Sequence, residues 1–195
     1  MFKVKDHYYQ KAKDEKYFAR SIYKLEEIDQ RYKVLKRGDQ VVDLGYFPGS
    51  WIQYTSPKIG PEGKVIGIDI QPINKKLQLP NAVLFEKDIF SVQGPQDLGA
   101  EKPFDVVLSD MAPSTTGIKS VDQARSLDLI ESVFKLLPLL LRPNGNFVIK
   151  VFDSNDAQVF LKSQKNRFND FQFLKPKSTR SISKEFFVIG KGFKA

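Results

Sequence analysis

Cysteine is missing from this 195-residue chain, and histidine occurs once, at His7. The first absence excludes disulfides, thiolate metal sites and cysteine nucleophiles. The second removes most histidine-based catalysis and zinc binding, so no metal site is expected. Long apolar runs are also lacking: the greasiest stretch, 136–141, is short and contains Pro138, far from the roughly 20 residues that a membrane-spanning helix needs. Residues 1–16 mix charges of both signs with tyrosines and have no apolar centre, unlike a secretion signal. A protein that stays in the cytoplasm and has no membrane partner is expected. Its chemistry must use Lys, Asp, Glu, Ser or Tyr.

What is present suits an ordinary folded chain, with 41% hydrophobic and 28% charged residues. The length fits one compact domain over 1–195, with a basic N-terminal extension over about 1–16, and a monomer is expected. The net charge is +8. Lys and Arg outnumber Asp and Glu in residues 1–40 and again in 162–195, whereas acids prevail between them. Basic flanks suit contact with a polyanion, because neutralising phosphates releases counterions. A face of solvated lysines gives the same count.

Runs rich in branched and aromatic residues predict seven strands, at 40–44, 64–68, 82–85, 104–108, 145–152, 171–174 and 185–189. Between them, 121–141 has Ala124, Leu127, Ile130, Val133, Phe134 and Leu137 at helical spacing. Pro143-Asn144-Gly145 reads as its stop signal, with Gly145 the residue expected to take a positive φ. A further helix is expected over 17–32, with Ile22, Leu25 and Ile28 on one side and Arg20, Lys24 and Arg31 elsewhere on its surface. Strand and helix in alternation imply an α/β fold built on a mostly parallel sheet.

In such sheets ligands bind beyond the carboxyl ends of the strands. Val41-Val42-Asp43-Leu44-Gly45-Tyr46-Phe47-Pro48-Gly49-Ser50-Trp51 is a strand ending in an acid and a glycine, followed by a loop that opens a helix. Gly45 and Gly49 let backbone approach a ligand, and the helix amides offer donors to an anionic group. The pattern G-x-G-x-x-G is absent, which weighs against a dehydrogenase. Gly67-Ile68-Asp69-Ile70 follows the second strand, placing a carboxylate where it can receive the hydroxyls of a ribose. With Asp88 and Asp110 after the third and fourth strands, four successive strands each deliver an acid to one edge. A lone acid there is more often structural; four together favour a site.

This arrangement resembles the nucleoside-binding half of class I S-adenosylmethionine-dependent methyltransferases, with their Rossmann-like seven-stranded sheet and helices on both faces. The resemblance implies a cofactor site that draws on Asp43, Gly45, Gly49, Trp51, Asp69, Asp88 and Asp110. In it Gly49 and Trp51 flank the cofactor, Asp69 meets the ribose and Asp88 the adenine. Three motifs narrow the family. Ala19-Arg20-Ser21-Ile22-Tyr23-Lys24-Leu25, Ser109-Asp110-Met111-Ala112-Pro113 and Phe147-Val148-Ile149-Lys150-Val151-Phe152 resemble those of the FtsJ/RrmJ-type 2′-O-ribose methyltransferases of large-subunit ribosomal RNA. Glu185, within Arg180-Ser181-Ile182-Ser183-Lys184-Glu185-Phe186-Phe187, matches the last member of that family's Lys-Asp-Lys-Glu tetrad. The resemblance runs from about 17 to 192.

By it, Lys24, Asp110, Lys150 and Glu185 are the catalytic set and S-adenosylmethionine is the cofactor. The partner is ribosomal RNA, a uridine presented within the large ribosomal subunit. The chemistry fits: the attacking hydroxyl must be aligned with the methyl carbon and helped to lose its proton. A lysine can take that proton only where burial or a second cation favours its neutral form. Lys150, between apolar Ile149 and Val151, is the expected base, with Lys24 the neighbouring cation. Each residue alone has a plainer reading, a solvated lysine or a strand-end glutamate.

The chain departs from the family pattern at Tyr46-Phe47, where small residues are usual, and at Ser50, where a glycine is. Rival readings are a transfer-RNA or messenger-cap 2′-O-methyltransferase, a small-molecule O-methyltransferase, and a non-catalytic RNA-binding protein on the same fold. The last requires the side chains of Tyr46 and Phe47 to fill the methionine pocket. Lys3, Lys5, Lys11, Lys13 and Lys16 interleaved with Tyr8, Tyr9 and Tyr17 suit RNA contact, or form a frayed end. Lys175, Lys177, Arg180 and Lys184 precede Glu185 and are expected to grip RNA beside the reaction centre.

Overall fold

The computed structural model describes residues 7–114 and 116–194. The elements in chain order are α1 (His7–Asp14), α2 (Ile22–Tyr32), β1 (Gln40–Leu44), α3 (Ser50–Ile59), β2 (Lys64–Asp69) and β3 (Ala82–Glu86). They continue with β4 (Phe104–Ser109), α4 (Lys119–Leu140), β5 (Leu141–Phe152), α5 (Asn155–Gln164), β6 (Phe168–Leu174) and β7 (Glu185–Phe193). One seven-stranded sheet has the order β3-β2-β1-β4-β5-β7-β6. The pairs among β1 to β5 are parallel, whereas β7 is antiparallel to both of its neighbours. The strand order reverses between β1 and β4, which opens a crevice at the carboxyl edge there.

Period-two burial divides the core between two faces. Val41, Val65, Val106, Leu108, Val148, Phe187 and Ile189 carry α2 and α3 on one face. Val42, Ile66, Val107, Phe147, Ile149, Val151 and Val188 carry α4 and α5 on the other. The α/β class and helices on both faces are as the sequence predicts.

Some local expectations change. α4 continues through Pro138 to Leu140, although proline cannot donate to the carbonyl of Phe134. The Arg167 guanidinium donates to that carbonyl at 3.3 Å and so satisfies it. Ala124 is exposed; the buried stripe of α4 runs instead through Ile130, Val133, Phe134 and Leu137. After the helix, Asn144 rather than Gly145 adopts the positive φ, at 62°. Gly145 is required for space, because a Cβ there would lie 2.9 Å from the carbonyl oxygens of Arg142 and Asp105.

α2 starts at Ile22, later than position 17. Its end is fixed by Asp29, fully buried, whose carboxylate accepts from Leu35 N at 2.9 Å and the Tyr54 hydroxyl at 3.0 Å and pairs with Lys58 at 3.0 Å. α1 is helical and docked. Tyr8 and Tyr17 pack on Tyr23, with ring centroids 5.5 and 6.2 Å apart, and the Lys11 amine lies 4.4 Å over the same ring. These two tyrosines therefore serve packing rather than base stacking, while Tyr9 stays 63% exposed. Lys3 and Lys5 lie outside the described residues.

Candidate active site

Sheet parity places the proposed residues before any distance is considered. Just past the end of β4, Asp110 continues the alternation of Val106 and Leu108; on β5, Lys150 follows Val148; on β7, Glu185 precedes Phe187. Register agrees: Phe152 pairs with Glu185, and Lys150 is two residues from Phe152. Asp110, Lys150 and Glu185 thus share the face that carries α2. Asp43 follows Val41 and Asp69 follows Val65 at the same parity. Because β7 runs against the others, its first residue lies at the edge where the parallel strands end.

Lys24 joins this set from α2. It is buried rather than on the open helix surface, with its Nζ 2.5 Å from Glu185 Oε1 and 5.7 Å from the Phe187 ring centre. The Lys150 Nζ lies 3.1 Å from Asp110 Oδ1 and donates to the Asp110 carbonyl at 2.5 Å. Burial pushes the Glu185 carboxyl up, but the hydrogen bond and charge of Lys24, then the charge of Lys150, outweigh it and hold it below its ordinary value. Both amines therefore act on one carboxylate.

The start of α2 is tied to the loop after β1. The Trp51 indole N–H donates to the Ser21 carbonyl at 2.9 Å, and the Ser50 and Ser21 hydroxyls are 2.8 Å apart. Trp51 is buried against Phe187, with ring centres 5.8 Å apart. Ser50, at the departure from the family pattern, thus forms a contact that glycine could not. The Arg20 guanidinium donates to the Ser178 carbonyl at 3.0 Å, which fastens the same region to the 175–184 loop ahead of Glu185.

Beside the tetrad, a cleft of about 380 Å³ opens between the ends of β1, β2, β3 and β4. Asp69 and Asp88 line it with apolar Ile70, Phe90, Met111 and Leu129. The Asp69 carboxylate accepts from Phe47 N at 3.1 Å and Gln71 N at 2.8 Å, while Asp88 caps the turn at Ile89–Ser91 through Phe90 N at 3.0 Å. Gly45 borders this cleft at φ 74°, and a Cβ there would meet Met111 Cγ at 2.1 Å. Gly49 lines neither this cleft nor the recess beneath it; at φ 112° its missing side chain leaves room for Leu77.

A narrow recess of about 10 Å³ continues below, lined by Ser21, Asp43, Tyr46, Phe47, Trp51 and Asp110 among others. Tyr46 is 3% exposed and packs into the core near Gly67, where its hydroxyl accepts from Asn74 N at 3.3 Å. Phe47 is 45% exposed and lines both spaces. Tyr46 is thus turned into the core while Phe47 stays at the surface, and both border the recess beside Asp43.

The model of the FtsJ-like methyltransferases matches residues 17–193, almost the whole chain. The chain belongs to that family. It is 44% identical over 192 residues to the ribosomal RNA large subunit methyltransferase E of Bdellovibrio bacteriovorus, covering 97% of each. It is 47% identical to the protein of that name from Oleidesulfovibrio alaskensis, covering 100% of this chain and 94% of the other. A crystal structure described as a ribosomal RNA methyltransferase of Plasmodium falciparum has 26% identity and a TM-score of 0.77, covering 91% of this chain and 98% of that one. Aeropyrum pernix fibrillarin, solved with S-adenosyl-L-methionine bound, shares the fold at 15% identity and a TM-score of 0.64, over 87% of this chain and 76% of its own.

This FtsJ-like methyltransferase takes S-adenosylmethionine as its cofactor, and its residues fit that molecule. Both carboxylate oxygens of Asp43 are buried without a hydrogen-bond partner among the described residues, facing the recess where a cationic group would satisfy them. Asp69 has the acceptor chemistry for ribose hydroxyls, and Phe90, Met111 and Leu129 offer apolar cover for a purine. Sequence reading did not single out these last three or Ser21 as cofactor neighbours, although Ser21 and Met111 stood inside quoted motifs.

Burial, then Asp110 and Asp69, push the Asp43 carboxyl well above its ordinary value. A carboxyl raised in the folded state contributes stability that is full below its unfolded value and is lost as pH rises through its folded one. Without cofactor, Asp43→Asn is therefore expected to raise the melting temperature at pH 7–8, with the gain shrinking as pH falls. Calorimetry across pH checks this, and cofactor titration should show weaker binding by the same variant.

Proposed function

We propose that this enzyme transfers the methyl of S-adenosylmethionine to a ribose 2′-hydroxyl of RNA, with Lys24, Asp110, Lys150 and Glu185 as its catalytic residues. Its target is a uridine of large-subunit ribosomal RNA, met within the assembled subunit in the cytoplasm, and it acts as a monomer. The observation that carries this reading is the meeting of two lysine–carboxylate pairs, 24 with 185 and 150 with 110, at one sheet edge beside the cofactor cleft. The names of the relatives, ribosomal RNA large subunit methyltransferase E, support the choice of RNA.

When bound, the cofactor supplies an electrophilic methyl on a sulfonium. Lys150 takes the proton of the attacking hydroxyl, and the Asp110 carboxylate and carbonyl fix its amine. Lys24, held by Glu185, is the second cation that orients the hydroxyl and favours a neutral neighbour. Asp43, Asp69 and Asp88 hold the cofactor through its methionine end, ribose and base. Lys175 and Lys184 are exposed beside Glu185 and meet the RNA backbone.

Among the described residues no helix is long and apolar enough to cross a membrane. The basic flanks favour RNA over a small-molecule acceptor. Labelled cofactor incubated with undermodified large subunits, free ribosomal RNA and transfer RNA tests the reading. One methylated uridine ribose in the subunit supports it; label confined to transfer RNA or to a base contradicts it.

A further inference from the structure

Beyond Glu185, on the side of α4 and α5, lies a second cleft of about 770 Å³, of which the mechanism above uses only Glu185 and the two lysines Lys175 and Lys184. Its walls come from the start of α4 at Gln123, the start of α5 at Asn155 and Asp156, the 175–184 loop at Ile182, and β7 at Glu185 and Phe186. Glu185 belongs to both the tetrad and the lining of this cleft, so the two lie at the same end of β5 and β7.

The charges lining the cleft decide what it can take. Asp153, Asp156 and Glu185 oppose Lys175 and Lys184, and the Lys175 amine already donates to the Ser183 carbonyl at 2.7 Å. Because Glu185 is already paired with Lys24, the other two carboxylates balance the two lysines, and the cleft carries no net positive charge to draw a phosphate inside. The polar groups left over suit a nucleobase edge. Asp153 accepts from the Gln158 amide at 3.0 Å, but the side chains of Gln123, Asn155 and Asp156 make no hydrogen bond among the described residues. Ile182, 87% exposed, offers an apolar surface of the kind that covers a base face.

We propose that this cleft receives the base of the nucleotide whose ribose is methylated, and that it distinguishes uracil from cytosine. The inference rests on the 2′-O-methyl transfer proposed above. Uracil presents an N3–H donor between two carbonyl acceptors. The Asp156 carboxylate, an acceptor only, takes the N3–H, while the amides of Asn155 and Gln123 donate to the carbonyls. Cytosine offers N3 as an acceptor, which faces the carboxylate unfavourably.

The test uses the whole protein and large subunits reconstituted with uridine, cytidine or N3-methyluridine at the acceptor position. Wild-type protein is expected to prefer uridine by about tenfold or more in kcat/KM, the scale of one well-made base contact. Asn155→Ala and Asp156→Ala should erase that preference by raising KM for the subunit, with kcat and cofactor affinity retained. Both positions are exposed and leave the Ser154 cap of α5 intact. Ile182→Ala, in a different segment, should raise KM for all three subunits. Equal methylation of the three by wild-type protein overturns the inference and leaves the function standing, as does a preference that survives in both variants. No transfer to the uridine subunit removes the function and the inference with it.

Discussion

Lys150→Ala is expected to lower the rate of methyl transfer by about 10²–10⁴-fold, the range that a positioned proton acceptor supplies. Cofactor affinity should change little, because Lys150 lines neither the cofactor cleft nor the recess. The loss belongs in kcat, since the amine meets the hydroxyl proton as it departs. Asp69→Ala should show the opposite pattern. Its carboxylate borders the cleft and also receives Phe47 N and Gln71 N, so removing it weakens cofactor binding and loosens the loop. Isothermal titration with cofactor beside single-turnover assays separates the two. Substantial activity in Lys150→Ala would falsify the assignment of the base.

Lys24→Ala is expected to cost about 3–5 kcal/mol of stability, the usual penalty for leaving one partner of a buried pair alone. Glu185 is 9% exposed, and without Lys24 its burial acts unopposed by the nearest charge. The sign with pH follows. In the wild type the lowered Glu185 carboxyl contributes stability above its unfolded value, lost as pH falls through the folded one. In the variant burial raises it, so the deficit should be largest at pH 7–8 and smaller near pH 5. Lys24→Met combined with Glu185→Gln should restore much of the stability and none of the activity. Thermal unfolding across pH measures the first part, and methyl transfer the second.

Local pattern made much of this legible. The runs of branched residues at 40–44, 64–68 and 104–108 define strands whose starts the structure reproduces. Four acids at strand ends identified the functional edge. What local pattern could not carry was anything set by distant partners. Lys24 is indistinguishable from a solvated helical lysine until Glu185, 161 residues later, lies against it; only the family motif pointed there. Ser21 owes its place to Trp51 and Ser50, and Tyr46 turns into the core because Gly67 leaves room for its ring. The extension of β7 through Gly190-Lys191-Gly192 was hidden by glycines, which weaken a strand signal. The second cleft was illegible for the same reason, since α4, α5 and the 175–184 loop meet only after the sheet is assembled.

The reacting atom itself gives the most direct measurement. Subunits reconstituted with a 2′-deoxy sugar at the acceptor nucleotide keep the base, the phosphates and the docking surface, and lose one oxygen. With wild-type enzyme and labelled cofactor, transfer should vanish on the deoxy subunit while binding persists. Label appearing at that nucleotide in the deoxy subunit would mean that the methyl goes to the base, and the account of the tetrad would be wrong.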